Sequence, residues 1–303
     1  MKIEVLRLLK FALPVAAVAA LLALSQAPTQ NVKEIAPGVW VRMGERTRNQ
    51  PANAGWVVFK DYVLVIDANF PWGAKEILPE IRKTSSKPIR FVFNTHYHGD
   101  HAYGGNIFTD QGAQIVCSTH CGVESTTKGQ AGWDRNTATG EFSLKPYKLA
   151  HPTITFGDSM AFDDGEHRVE LKLMGPGHSK GDAVAWLPKE RILFTGDMVV
   201  NWNSGNNAGD PDADHDHWLR ALDRMAALAP SIVVVGHGTL GGVADLRAQH
   251  AYMADMVDTV RRGIATGQSE EEVSQTDLTR HKIGSTKASN VSSLKAIYKK
   301  LKK

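Results

Sequence analysis

The stretch Asn94-Thr95-His96-Tyr97-His98-Gly99-Asp100-His101 follows directly on the apolar run Ile89-Arg90-Phe91-Val92-Phe93, which predicts a buried β-strand. Three imidazoles and one carboxylate fall within six residues, and such crowding is costly unless a cation is bound. Zinc and its first-row neighbours accept neutral imidazole nitrogens and ionised carboxylates as ligands. On a turn that leaves a strand, His96 and His98 can point to one side while Asp100 and His101 serve a second position. The spacing therefore predicts a site for two metal ions.

Three further short segments each contain one histidine or aspartate. They are Gly175-Pro176-Gly177-His178-Ser179, Phe194-Thr195-Gly196-Asp197 and Val235-Gly236-His237-Gly238. Together with the first stretch they resemble the signature of the metallo-β-lactamase superfamily. All seven ligand positions of that family match in order, and the resemblance covers about residues 35–265.

The resemblance implies a metal-binding role for the whole set. One metal is assigned to His96, His98 and His178, the other to Asp100, His101 and His237, and Asp197 bridges them. Two zinc ions about 4 Å apart would lower the pKa of a shared water and polarise a substrate carbonyl or phosphoryl oxygen, which is the chemistry of hydrolysis. The resemblance also gives Asp100 the proton that the leaving group needs. A structural zinc is disfavoured, because closed structural sites normally use four ligands, often cysteines.

Composition is that of a globular protein with one large domain. The chain has 303 residues, 42% hydrophobic and 22% charged. Its formal net charge of +3 is small, and much of the surplus lies at the C-terminal end, so no nucleic-acid partner is predicted. A small molecule is the expected partner.

The first residues have the pattern of a secretory signal peptide, which we place at 1–27. Lys2, Arg7 and Lys10 precede an apolar run over residues 11–24, and small residues follow it. The body is therefore expected in the periplasm or secreted. An uncleaved N-terminal anchor, which would tie the protein to a membrane, is the alternative.

The body alternates between strand and helix patterns. Strands are predicted at 55–60, 62–67, 89–93 and 113–117, with a helix at 74–83. The second half repeats this plan with strands at 183–187, 192–195 and 231–235 and an amphipathic helix at 215–228. Such a chain forms two stacked sheets with helices outside, an α/β layer architecture. The family resemblance makes it the four-layer αββα sandwich.

The catalytic domain is predicted at residues 28–265 and a C-terminal helical extension at 266–303. Within the extension, Val291, Leu294, Ile297 and Leu301 form an apolar stripe, which favours a docked helix over a disordered basic tail. Within the domain, residues 128–152 are predicted to form a helix and a long loop over the metal face.

The two cysteines, Cys117 and Cys121, lie four residues apart. An exported protein permits a disulfide, and His120 between them suggests a metal site. Buried free thiols are the interpretation that we favour.

Substrate class is harder to infer. Residues 175–197 and 205–218 resemble the cysteine-ligand subclass of metallo-β-lactamases more than glyoxalase II, and Asn207 matches that subclass's substrate-binding asparagine. The subclass, however, differs at three positions of this chain. It has an arginine-type residue where His101 stands, a cysteine where Asp197 stands, and its carboxylate-binding lysine where Val200 stands. The ligand set itself resembles the glyoxalase and lactonase branch.

We therefore expect a zinc-dependent hydrolase of a small cyclic amide (β-lactam), lactone or thioester. A mononuclear iron sulfur dioxygenase on the same fold and a metal-binding protein without turnover are the alternatives.

Overall fold

Two β-sheets lie face to face in the part of the chain that the computed structural model describes, residues 31–201, 208–281 and 286–302. The predicted signal peptide at 1–27 and the predicted substrate residue Asn207 lie outside these ranges.

The first sheet has seven strands that follow the order of the chain. They are β1 (Val32–Ala36), β2 (Val39–Arg42), β3 (Ala54–Val58), β4 (Val63–Ile66), β5 (Ile89–Phe93), β6 (Gln114–Ser118) and β7 (Ile154–Phe156). Strands β1 to β4 pair antiparallel and β4 to β7 pair parallel. Parallel pairs need crossover segments. Here these contain α1 (Pro71–Thr84), α2 (Gly99–Ala102), α3 (Gly105–Thr109), α4 (Thr119–Glu124) and α5 (Gln130–Asp134).

The second sheet has five strands in the order β12-β11-β10-β9-β8. They are β8 (Ser159–Asp163), β9 (Arg168–Leu173), β10 (Ala183–Leu187), β11 (Ile192–Phe194) and β12 (Ile232–Val234). Only the β11–β12 pair of this sheet is parallel. The helix α6 (His215–Ala227) connects these two strands, and α7 (Val243–Ala265), α8 (Glu270–Ser274) and α9 (Lys287–Leu301) follow.

Buried apolar side chains hold the layers together. Between the sheets, Phe93 and Val116 of the first belong to the same cluster as Leu171 and Ala185 of the second. Residues of α1 cover the outer face of the first sheet, and residues of α6, α7 and α9 cover the outer face of the second. The predicted αββα sandwich is therefore confirmed. Removal of this apolar surface from water is the main force that stacks the four layers.

Among the elements that the sequence patterns missed are β1 and α7. β1 is a short strand at the edge of its sheet with two exposed charged residues, a pattern that weakens the strand signal. α7 is 23 residues long, and its buried Leu246, Met253, Met256 and Val260 recur at helical spacing. The fully buried polar Gln249 interrupts this stripe.

The C-terminal helix packs on α7 and α8, as a docked helix would, but its buried face differs from the prediction. Leu294 and Ile297 are fully buried, whereas Leu301 is 38% exposed, so its place in the stripe was wrong. Tyr298 is buried instead, and its hydroxyl donates a hydrogen bond to the Gln268 carbonyl (2.7 Å).

Candidate metal centre

The predicted ligands lie in loops at one end of the two sheets. The loop after β5 carries the first two histidines and leads into α2, which contains Asp100 and His101. Asp197 follows β11 and His237 follows β12, and these parallel neighbours end at the same edge. His178 comes from the loop between β9 and β10.

The structure brings all seven residues together in two adjacent groups. One contains His96, His98, His178 and Asp197, and the other contains Asp100, His101 and His237. In each group, one nitrogen or oxygen per side chain lies within 4.8 Å of the others. Ligands about 2.0–2.2 Å from a common zinc ion have separations of this order.

Asp197 lies between the two groups with one carboxylate oxygen toward each. Its Oδ2 is 4.0 Å from His96 Nε2 and 3.7 Å from His178 Nε2. Its Oδ1 is 3.0 Å from both His101 Nε2 and His237 Nε2. The turn that places it has Gly196 at φ +52°, a conformation that glycine adopts without strain. This geometry suits a carboxylate that bridges two cations.

Hydrogen bonds fix which nitrogen of three histidines faces the cluster. His101 Nδ1 donates to Asp67 Oδ2 (2.8 Å), and His237 Nδ1 donates to the Pro51 carbonyl (2.9 Å). The Thr95 hydroxyl donates to Asp67 (3.0 Å), so it must accept from His96 Nδ1 (3.0 Å). With the proton on Nδ1, the neutral form of each ring directs its Nε2 lone pair at the cluster, as a metal ligand does.

Burial and neighbouring charges set the protonation of these histidines without a cation. Burial lowers the pKa of His96 well below its usual value and that of His178 to about 3, so both imidazoles are neutral at pH 7. Burial also opposes protonation of His101, but the carboxylates of Asp197 and Asp67 outweigh it and raise the pKa of His101. Burial lowers the pKa of His237 too, but the carboxylate of Asp197 outweighs burial and raises it above its usual value. Carboxylates in this pocket therefore attract positive charge.

The chemistry of the donor set fits divalent cations. His96 Nε2 is buried and has no hydrogen-bond partner among the described residues, although it carries a lone pair. His178 Nε2 and His98 Nδ1 lie 3.0 Å apart, and His101 Nε2 and His237 Nε2 lie 3.3 Å apart. Each of these two pairs can share one proton in an N–H···N hydrogen bond, or both nitrogens can direct their lone pairs at a bound cation.

Two of the predicted ligands define the open side of the cluster. The side chains of His98 and Asp100 are 22% and 21% exposed, while those of the other five are between 0% and 11% exposed. Asp100 Oδ2 is 3.3 Å from His237 Nε2. A substrate would therefore approach past these two side chains.

Asp67, which supports two of the histidines, was missed by sequence reasoning. It is buried, accepts a hydrogen bond from the Thr95 backbone N–H (2.9 Å), and has φ +59°. The sequence did contain a signal, because a charged residue directly after an apolar strand such as β4 is unusual.

The structure describes the two cysteines and Val200, whereas the prediction for Asn207 stays a prediction. Cys117 and Cys121 are buried free thiols, as we favoured. Val200, at the position of the subclass lysine, is only 2% exposed, so its side chain is part of the interior. Asn207 has no structural account, since it lies outside the described ranges.

Sheets stacked in this way, with histidines and aspartates converging at their strand ends, define a metal-binding protein of the αββα class. The chain belongs to the metallo-beta-lactamase superfamily, whose family model matches residues 47–237. It is therefore a metal-dependent hydrolase that acts on small molecules.

Relatives agree with this assignment. The chain is 24% identical over 220 residues to metallo-beta-lactamase type 2 of Elizabethkingia meningoseptica, covering 70% of this chain and 80% of that protein. It is 25% identical over 192 residues to metallo-beta-lactamase IND-1 of Chryseobacterium indologenes, covering 61% and 71%. A metallo-beta-lactamase from Pontibacter korlensis has the same fold, with a TM-score of 0.60 at 23% identity, over 74% of this chain and 98% of that one. Among the described helices, none has the length and apolar character needed to cross a membrane.

Proposed function

We propose that this protein is a di-zinc hydrolase that cleaves the acyl bond of a small β-lactam, lactone or thioester. The observation that carries the proposal is the orientation of Asp197, whose two oxygens face two separate sets of ligands. A single tetrahedral zinc needs only four ligands and would leave three of the seven without a role.

Under this proposal each cation has its own set of ligands. The first is held by His96, His98 and His178, the second by Asp100, His101 and His237, and both by Asp197. Imidazole and carboxylate donors without thiolate suit zinc. When bound, the cations polarise the substrate carbonyl and lower the pKa of a water molecule.

The chain itself contributes orientation and proton transfer. Asp67 and the Pro51 carbonyl hold the histidine rings with Nε2 toward the cluster. Asp100 lies on the open side, where its carboxylate can take a proton from the attacking water and deliver it to the leaving nitrogen, oxygen or sulfur. Asn207 is proposed to position the substrate carbonyl.

The test combines metal content with a substrate panel. We expect about two zinc ions per chain by elemental analysis, since seven ligands exceed the need of one ion. We expect hydrolysis of a chromogenic cephalosporin, a lactone or an acyl thioester that a chelator abolishes and zinc restores. His178→Ala should lose one metal and the activity. The matched control is His217→Ala, because His217 lies on α6 outside both ligand groups.

Two results would overturn the proposal. One iron per chain after growth in balanced metals, with oxygen-dependent oxidation of a thiol or persulfide, would favour the dioxygenase. Two bound zinc ions without turnover of any acyl substrate would favour a binding protein.

We also propose that residues 1–27 direct export and are removed, leaving a catalytic domain at 28–265 and a helical extension at 266–303. The charged start, apolar run and small residues of the leader support export. N-terminal sequencing of protein from the periplasm tests this, and an intact Met1 in a membrane fraction would contradict it.

A further inference from the structure

An open cavity of about 720 Å³ is lined mainly by residues of α1 and of the segment that joins β2 to β3. Cavities of this size are typical of small-molecule sites. No residue of the lining belongs to either group of predicted metal ligands. The charged residues of the lining, whose formal charges balance, are Arg42, Arg48, Lys75, Glu45, Glu76 and Glu80.

Part of this charge is neutralised within the wall of the cavity. The guanidinium of Arg48 forms ion pairs with Glu45 (3.7 Å) and with Glu76. Glu76 Oε2 also lies 3.2 Å from Arg42 Nη2, in a second ion pair. The carboxylates of Glu45 and Glu76 therefore already have cationic partners, and no ligand is needed to balance them.

Arg42 has one donor group without a partner. Its side chain is only 2% exposed, and its Nη2 donates to Gln50 and Glu76. Its Nη1 is buried and has no hydrogen-bond partner among the described residues. A buried guanidinium N–H without an acceptor costs free energy, and burial also lowers the pKa of Arg42. A carboxylate is the acceptor whose geometry matches a guanidinium.

Glu80 on α1 has the opposite deficit. It is 6% exposed, and its Oε1 accepts a hydrogen bond from Lys83 Nζ (2.9 Å). Its Oε2 is buried and finds no donor in the part of the chain that the structure describes. A carboxylate oxygen removed from water is stabilised by a charged N–H donor such as an ammonium group. The lining thus contains an unsatisfied buried donor at Arg42 and an unsatisfied buried acceptor at Glu80.

Lys75 adds an exposed cation to the same lining. It forms no ion pair within residues 31–201, 208–281 and 286–302, and its Nζ lies 4.7 Å from the ring centroid of Tyr147. An ammonium group over an aromatic ring keeps its full charge. Lys75 can therefore attract an anionic group to the cavity.

We propose that this cavity binds a small zwitterion, such as an amino acid or a short peptide with free ends. The ligand carboxylate accepts a hydrogen bond from Arg42 Nη1, and the ligand ammonium group donates to Glu80 Oε2. An anion alone would leave Glu80 without a donor, and a cation alone would leave Arg42 without an acceptor. The site shares no residue with the metal centre, so it does not depend on the proposed hydrolase function.

Calorimetric titration of the zinc-loaded protein with glycine, glycylglycine and triglycine tests the proposal. These probes carry the same two charges at increasing separation. We expect at least one of them to bind more tightly than its N-acetylated form, which lacks the ammonium group, and than its C-terminal amide, which lacks the carboxylate. Loss of either charge should weaken binding about tenfold or more, as for a charge-assisted hydrogen bond.

Three substitutions assign the two charges of the ligand. Glu80→Gln should weaken the tightest-binding zwitterion about tenfold or more but affect its N-acetylated form much less, because the lost carboxylate faces the ammonium group. Arg42→Lys keeps a cation for Glu76 but removes a guanidinium nitrogen, so it should weaken both forms. Lys75→Gln should weaken both by about two- to fivefold, since exposed ion pairs contribute less. Glu80→Gln decides the test if Arg42→Lys proves unstable.

A matched control removes a charge from the same helix. Arg82 is exposed on α1 and is not part of the cavity lining, so Arg82→Gln should bind every probe like the wild type. A second control removes the zinc with a chelator. Affinity for the zwitterion should remain, because no residue of the lining is a predicted metal ligand.

Four results would overturn the proposal. They are no detectable binding of any of the three zwitterions, equal affinity for a zwitterion and its acetylated or amidated form, wild-type affinity in both Glu80→Gln and Arg42→Lys, and loss of binding when the zinc is removed. The last of these would place the probe at the metal centre instead of in this cavity.

Discussion

Replacement of Asp67 by asparagine should weaken metal binding at both positions although Asp67 contacts neither predicted cation. Its carboxylate accepts from His101 Nδ1 directly and from His96 Nδ1 through the Thr95 hydroxyl. Asparagine tolerates the φ of +59° at this position as well as aspartate does, so the backbone is not the variable. The substitution removes the charge and one acceptor.

The size of the loss in metal affinity follows from the tautomer of His101. An amide group facing His101 Nδ1 can donate where the carboxylate accepted, which favours the tautomer with the proton on Nε2, the atom directed at Asp197. Loss of such a supporting carboxylate typically costs 10–100-fold in metal affinity or activity, or about 1.4–2.8 kcal/mol. The unfolding free energy should fall by about 1–3 kcal/mol as well, because a buried hydrogen-bonding group loses its partner.

Zinc affinity is measured by competition with a chromophoric chelator, together with kcat/KM on the best substrate. The control is Asp61→Asn, an exposed aspartate between β3 and β4. If Asp67→Asn binds both zinc ions with wild-type affinity and turns over normally, the hydrogen bonds from Asp67 do not set the ligand tautomers.

Four further substitutions test the energetics of the fold. Burial raises the pKa of Asp182 to about 8, so its contribution to stability should fall as pH rises from about 4 toward 8, where only the folded state keeps the proton. In metal-depleted protein, Asp182→Asn should reduce the loss of unfolding free energy between pH 5 and pH 8, as measured by denaturant unfolding. An unchanged loss would contradict a buried, protonated carboxyl at Asp182. Val200→Lys should lower the unfolding midpoint without lowering KM for an anionic substrate, because the side chain of Val200 is only 2% exposed. A lower KM at unchanged stability would show instead that the lysine side chain reaches the bound substrate. Leu294→Ala should cost about 2–5 kcal/mol of unfolding free energy, whereas Leu301→Ala, at a 38% exposed position, should change it by less than about 0.5 kcal/mol; equal losses would place Leu301 in the core.

Much of the fold could be predicted because the signals were local. Apolar runs such as residues 89–93 and 183–187 became β5 and β10 with the same bounds. The helix predicted at 74–83 extends to Pro71–Thr84. The prediction assigned Leu301 wrongly to the buried face of the C-terminal helix. An apolar residue near a helix end is buried only if another element covers it, and α7 and α8 leave Leu301 exposed.

The cavity of about 390 Å³ beside His98 could not have been predicted in the same way. Arg135 and Tyr103 are separated in the chain by α3, β6, α4 and α5. Residues 128–152 were predicted to lie over the metal face, but no local pattern indicates which of their side chains line this cavity. The ion pair between Lys128 and Asp212 likewise joins a residue before β7 to one after β11. These relations exist only after the sheets have stacked.

The amino-acid sequence by itself determined the residue types at the metal centre and the strands that deliver them, since both are encoded within a few residues. Tertiary structure alone decided that Asp197 faces both groups and that Asp67 orients His96 and His101. Asp67 reaches them because β4 and β5 are parallel neighbours with Ile66 beside Phe93, which places the residues after both strands side by side. Pairing between distant segments depends on how all the layers pack, so no local pattern specifies the atoms that it brings into contact.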